Sequence, residues 1–153
     1  MAQKTTNYTT ILRYSTNDSS YTDLADLRKV KPGGMELGEV DLTALDSANG
    51  YKETMAGWGQ GTPATFTVFM TKTQLAALMV IWNARSAATS TQPYYYWRTV
   101  FPLIGAESTN SRHNFTGWLK SVDYDDLEAM KDEAIMVNFT IVKTGRDSFT
   151  AGT

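Results

Sequence analysis

Cysteine is absent from this chain, and with it go disulfides, thiol catalysis and Cys-based zinc sites. That absence fits any compartment. Histidine occurs once, as His113, so a metal centre or a catalytic triad has no second imidazole to draw on. The polar stretch 105–114 around it reads as a hairpin loop, and His113 is expected there as a solvated side chain. No apolar run reaches the about 18 residues of a membrane span. No charged-then-apolar leader opens the chain, so the expectation is a protein made and kept in the cytoplasm. Charge of one sign is lacking too. Net charge is -2 over 153 residues, with Lys and Arg scattered, which argues against a dedicated binder of nucleic acid or anionic membrane. What is left, 42% hydrophobic and 20% charged, is the composition of one globular domain with a core of ordinary size.

Strand signals dominate what is there. Residues 1–23 are rich in Thr, Ser, Asn and Tyr around one β-prone run, Thr9 to Tyr14, and are expected to form an N-terminal arm with an edge strand. Residues 24–30 read as a strand or a short helix, ended by the turn sequence Lys31-Pro32-Gly33-Gly34. A strand resumes at Leu37. Residues 46–61, with Asn49-Gly50 and Gly57-Trp58-Gly59-Gln60-Gly61, read as a polar excursion with hairpin-type punctuation. In 64–70, Phe66, Val68 and Met70 share one face against Thr65, Thr67 and Phe69, the period of a half-buried strand.

One helix is predicted. Thr71-Lys72-Thr73-Gln74 has capping-box spacing, and Leu75, Leu78, Met79 and Trp82 follow at i, i+3, i+4 and i+7, with an end near Ala87. Three strands come after it, at 94–103, 115–124 and 134–143, separated by the 105–114 loop and a charged segment at 125–132. In the last strand Ile135, Val137, Phe139 and Ile141 are expected in the core, with Met136, Asn138 and Thr140 facing away. Residues 146–153 read as a polar C-terminal tail. Strands, one helix, then strands predict a mainly β fold: an antiparallel β-sandwich or barrel with one flanking α-helix and a long projecting hairpin arm.

Chemistry is thin. Asp123, Asp125 and Asp126 lack the Gly and terminal Glu of a Ca²⁺ loop and read as a solvated acidic turn. The glycines of 57–61 precede no helix and come without a P-loop Lys, so they read as an arm tip. Arg85, Arg98 and Arg112 are dispersed. The sequons at Asn7, Asn17, Asn114 and Asn138 carry no meaning without a secretory route. No catalytic, cofactor-binding or metal-ligating set emerges, and the chain is expected to be no enzyme and to need no cofactor.

The surface residues say more. Eight Tyr and four Trp are many for a chain without a ligand motif, and Tyr94-Tyr95-Tyr96-Trp97 puts aromatics on both faces of one strand. They fill a β core, or one face is covered by another subunit. An arm of some twenty residues between two strands is uncommon unless it grips something.

Several stretches resemble the tail tube, or major tail, proteins of long-tailed, non-contractile phages. The resemblance covers roughly 40–145. Its carriers are Val40 to Ser47, Tyr51-Lys52-Glu53, Met55-Ala56-Gly57, Thr65 to Val68, the helix over 73–87, the strand Trp97 to Leu103, Phe115 to Val122, and Asp132 to Gly145. Their order and spacing carry the likeness, not any one motif. It implies a single tail-tube domain over 1–153, with an arm at 1–23, a projecting loop at 43–63 and a tail at 146–153. It further implies homo-hexameric rings stacked into a tube that delivers the genome, a virion component assembled in the host cytoplasm. Implied partners are other copies of itself, a tape-measure protein and terminator or baseplate proteins; DNA passes through the lumen without specific binding, and no membrane is involved.

By the same resemblance, Asp46, Tyr51, Lys52, Glu53, Trp58 and Gln60 form the inter-subunit and inter-ring arm, and Asn138 and Thr140 are candidates to face the lumen. Lys120 and Lys143 conflict with an acidic lumen unless they point outward or pair with carboxylates. Two other readings stand beside this one. One is a tail terminator, completion or secretion-type tube protein of the same fold; the other is a carbohydrate-binding β-sandwich using Tyr94, Tyr96 and Trp58.

Overall fold

The computed structural model describes residues 10–24, 27–43, 52–84, 95–103, 108–126 and 134–153. In chain order these hold β1 (Ile11–Ser15), β2 (Thr22–Asp23), β3 (Leu27–Lys31), β4 (Met35–Asp41), β5 (Thr54–Gly61), β6 (Ala64–Phe69), α1 (Lys72–Ala84), β7 (Tyr95–Val100), β8 (Arg112–Tyr124) and β9 (Met136–Thr150). Seven strands form one antiparallel sheet in the order β2-β1-β7-β8-β9-β6-β3, curled into a half-barrel, and β4 and β5 make a separate two-stranded ribbon. The expected architecture of strands, a single helix and a hairpin arm is the one observed.

Period-2 alternation builds the core. Phe66, Val68 and Ala64 on β6 lie directly opposite Phe139, Val137 and Ile141 on β9, and all six are buried. Residues opposed across an antiparallel pair share a face, so these rows fuse into one apolar layer. Phe66 stacks on Phe139 with ring centroids 4.9 Å apart and 8° between planes. On the other half of the sheet Trp97 is fully buried and its indole N–H donates to the Gly117 carbonyl, 3.2 Å away. A Cβ at Gly117 would meet the Val142 carbonyl oxygen at 2.5 Å, so the close passage of β8 over β9 needs glycine there.

Helix α1 lies in the chain between β6 and β7, strands that the sheet separates by β9 and β8. It lays Leu78 and Ile81 into the core, with Leu75 and Trp82 packed against it. The 3.6-residue stripe was legible, although Ile81 proves more deeply buried than Leu75, Met79 or Trp82. The predicted end near Ala87 lies outside the described residues.

Several boundaries differ from expectation. Met70 and Ile135 lie just beyond their strands and are exposed, so neither belongs to the core face; apolar alternation continues in the sequence after the pairing stops. β7 ends at Val100, so Phe101 to Leu103 leave the strand. Residues 146–153 are no free tail: β9 runs to Thr150, pairing with Arg112, His113 and Asn114, and the Thr153 carbonyl accepts from the N–H groups of Ser108 and Thr109. His113 accordingly sits in β8 and not in a loop. β7 and β9 flank that end of β8 on both sides and recruit its polar residues into the ladder.

Candidate functional site

The ribbon is the feature that a compact core does not explain. β4 pairs with β5 from Met35 opposite Gly61 to Asp41 opposite Thr54. Residues 54–61 are therefore a strand, where a polar loop was expected. Their glycines gave no strand signal, and pairing with β4 supplies it instead. Between the Leu37–Gly59 and Glu39–Ala56 pairs the register shifts, so Gly38 faces both Gly57 and Trp58. Backbones approach closely there: a Cβ on Gly57 would lie 3.2 Å from the Gly38 carbonyl. A bulge of this kind bends a strand and re-aims the side chain at its crest.

That side chain is Trp58, 94% exposed. Every residue of β4 is exposed, Leu37 at 68%, and Val40 and Met55 oppose one another in the open. Single exposed apolar residues are ordinary, but a ribbon bearing Met35, Leu37, Val40, Met55 and Trp58 together is an uncovered surface.

Both ends of the ribbon are fixed. At the far end the Leu42 N–H donates to the Glu53 carbonyl, and the Glu53 N–H to the Thr43 hydroxyl. The Thr43 hydroxyl and N–H hold the Asp41 carboxyl below its ordinary pKa. At the base the Gly34 N–H donates to the Thr62 hydroxyl at 2.6 Å and the Thr62 N–H to the Gly34 carbonyl at 2.9 Å. Gly33, at φ +70°, makes the turn; a Cβ there would meet the Thr62 carbonyl oxygen at 2.6 Å.

A buried polar cluster ties this base to the sheet. Lys143 donates to Asp147 at 2.5 Å and to the Gly34 carbonyl at 3.4 Å, and its ammonium lies 4.9 Å from the Phe115 ring centre. The Asp147 N–H points at the Met35 sulfur, 3.2 Å away. His113 Nε2 is 2.9 Å from the same Asp147 oxygen. Burial pushes the His113 pKa down and Lys143 adds to this, with Asp147 pulling the other way. His113 was expected to be solvated; the β8 ladder instead turns it inward, with its side chain only 14% exposed. Lys143 takes the carboxylate-paired alternative, whereas Lys120 is exposed.

Of the expected arm residues, Asp46 and Tyr51 lie outside the described residues. Lys52 and Glu53 follow the tip, with Lys52 3.5 Å from Glu39, and Gln60 pairs with Glu36 near the base. Trp58 is the one whose side chain stands fully free. The aromatics of the carbohydrate reading are divided: Tyr94 lies outside the described residues, Tyr96 is half-buried on β7, and Trp58 is on the ribbon.

Asn138 and Thr140 share the sheet face opposite the core. There Thr140 lies between Thr65 and Ser121, and Asn138 between Thr67 and Asp123. Asn138 accepts from the Thr67 hydroxyl at 2.7 Å and donates to Asp125 at 2.8 Å. The acidic turn therefore serves the sheet. Among the described residues no group of three or more His, Asp or Glu is placed to hold a metal ion, and no helix is long and apolar enough to cross a membrane.

No protein-family model matches the sequence, and no curated protein matches it. Solved structures do match over nearly the whole chain. A chain of the anti-feeding prophage baseplate aligns with TM-score 0.73 and 10% identity, over 99% of this chain and 98% of that one. The sheath/tube terminator of an extracellular contractile injection system, PVC, aligns with TM-score 0.74 and 12% identity, over 97% and 98%. The SPP1 tail tube aligns with TM-score 0.61 and 13% identity, over 93% of this chain and 76% of that one. What is shared is the tail-tube fold. The likenesses extend to contractile systems, so the fold is not particular to long, non-contractile tails.

Proposed function

We propose that this chain is a structural, non-enzymatic subunit that self-assembles into stacked six-membered rings, forming the tail tube of a long-tailed phage through which the genome is delivered. The observation that carries the reading is the ribbon: two strands exposed on both faces, crowned by Trp58 and anchored at the base, in a fold shared with tube and terminator proteins. An isolated two-stranded ribbon is marginal in water. Its apolar residues gain burial only against a neighbour. Ring closure would also cover the sheet's free edges, β2 and β3.

In such a tube the hydroxyl- and amide-rich face that includes Thr65, Thr140, Asn138 and Ser121 is suited to the lumen. These four are neutral, whereas Lys31 and Lys29 of β3 lie opposite Thr65 and Thr67 at the edge of the same face. Each phosphate neutralised by a cation adds affinity that hinders passage of DNA, so in the tube those two cations have to be paired or covered. The partners are then further copies of the chain, a tape-measure protein inside, and terminator and baseplate proteins at the ends. The setting is the virion, after assembly in the host cytoplasm. A second reading, a terminator or an injection-system tube subunit, draws on the likeness to the PVC sheath/tube terminator and to the tube-terminating cap of the anti-feeding prophage, the latter at TM-score 0.71.

Negative-stain electron microscopy of the concentrated protein tests both. Hollow stacked rings are expected. Discrete rings that never stack would favour the terminator, and a monomer at every concentration would remove both readings.

A further inference from the structure

We propose that the acidic β4–β5 ribbon of one copy docks along the basic β3 edge of the next, an inference that rests on the self-assembly reading above. β3 is the last strand of the seven-stranded sheet and is hydrogen-bonded on one side only, to β6. Its five residues, Leu27–Lys31, include Arg28, Lys29 and Lys31, all exposed. None of the three makes an ion pair among the described residues. The ribbon is the opposite. It carries Glu36, Glu39, Asp41 and, just before β5, Glu53, against the single cation Lys52, which already lies by Glu39.

The complement sits on one chain, yet the two surfaces do not pair within it. The ribbon base is drawn instead toward β9, through the Lys143 contact to Gly34 and the Asp147 contact to Met35. A second copy is what brings acidic ribbon and basic edge together. The contact joins two different patches, so it is heterologous and propagates head to tail into rings or filaments.

Cations on an edge strand are known protection against edge-to-edge aggregation. Here that protection and the docking are the same device. Like charge keeps β3 from β3 and ribbon from ribbon, while the mixed contact alone is attractive. The β3 cations stand beside two grooves: Arg28 and Lys29 line one with Thr67, Asn138 and the single acid Asp125, whose carboxylate is held by the Asn138 amide, and another with Val30 and Thr99.

Charge reversal decides the matter. The edge variant R28E/K29E/K31E and the ribbon variant E36K/E39K/D41K change exposed positions, and melting followed by circular dichroism would verify that both remain folded. Each alone is expected to lose the assemblies that the wild type forms, by sedimentation and negative stain. Mixed in equal amounts they should co-assemble, because each then meets a partner of opposite sign, and wild-type assembly should weaken as salt rises. A wild type that assembles, with either variant assembling equally well or a mixture that stays apart, overturns this inference and leaves the tube reading standing; the edge cations would then be protective only. If one variant does not fold, wild-type assembly indifferent to salt overturns the inference by itself. A wild type that remains monomeric overturns both.

Discussion

The sheet and the ribbon are built from the same antiparallel pairing, yet they are stabilised in opposite ways. Along β6, buried Ala64, Phe66 and Val68 alternate with more accessible Thr65, Thr67 and Phe69, and each inward residue meets an apolar partner on β9. Along β4 every residue is exposed, and cross-strand bonds to β5 hold the element with no layer beneath most of its length. The sheet explains its own stability by burial. The ribbon is pinned where Leu42 and Thr43 meet Glu53 and again at its base, and between these points its apolar side chains stand uncovered. Exposed apolar patches of this kind mark interaction sites, and in the proposed assembly a neighbouring copy would cover this one.

The contrast breaks most visibly in the sheet. Phe66→Ala removes a ring stacked on Phe139 and in contact with Trp97, and should cost about 3–5 kcal/mol in denaturant unfolding. Next comes the joint between the two regions. Asp147→Ala leaves the fully buried Lys143 ammonium without its carboxylate, a change of about 3 kcal/mol or more. It should also loosen the ribbon base, visible as faster amide exchange at Met35 and Gly61. Loss of stability with unchanged exchange there would mean that the cluster serves the sheet alone.

His113 offers a gentler lever on the same joint. Its folded pKa lies below the ordinary 6.5, so between the two values the unfolded chain binds more protons. Its contribution to stability is therefore complete above pH 6.5 and is lost as pH falls through the folded value. Melting temperature should fall over that window, and the fall should be shallower in His113→Gln. An identical profile in the variant would place the pH sensitivity elsewhere.

How much of this could be read in advance follows the same division. Faces of β6 and β9 were legible because burial on one side imposes period 2 on the residue types, and α1 because its stripe recurs at 3.6. β5 was not: Gly57, Gly59 and Gly61 have no side chains to alternate, and its strand conformation comes from β4. His113 was misplaced because Asn110 and Ser111 look like loop, while the ladder on both sides of β8 starts at Arg112. The Lys143–Asp147 pair was invisible for a geometric reason. Residues four apart on a regular strand stand about 13 Å from each other, and the left-handed turn at Gly145, φ +79°, inside an irregular stretch of the β8–β9 ladder brings them together. Arg28, Lys29 and Lys31 of β3 passed for scattered charge, because their meaning depends on knowing that this strand ends the sheet.

Trp58 gives the smallest expected effect on folding and the sharpest separation of the two regions. At 94% exposure it contributes almost nothing to the monomer, so Trp58→Ser should change unfolding free energy by less than about 0.5 kcal/mol. Apolar area left in water by the fold is recovered when a partner covers it, and large aromatics dominate such contacts. The same substitution should therefore abolish or sharply reduce the stacked assemblies that the proposed function expects in negative stain, while melting stays unchanged. A variant that unfolds more easily would make Trp58 part of the ribbon's own structure. One that both folds and assembles like the wild type would move the contact away from the bulge, toward Leu37, Val40 and Met55 on the same ribbon.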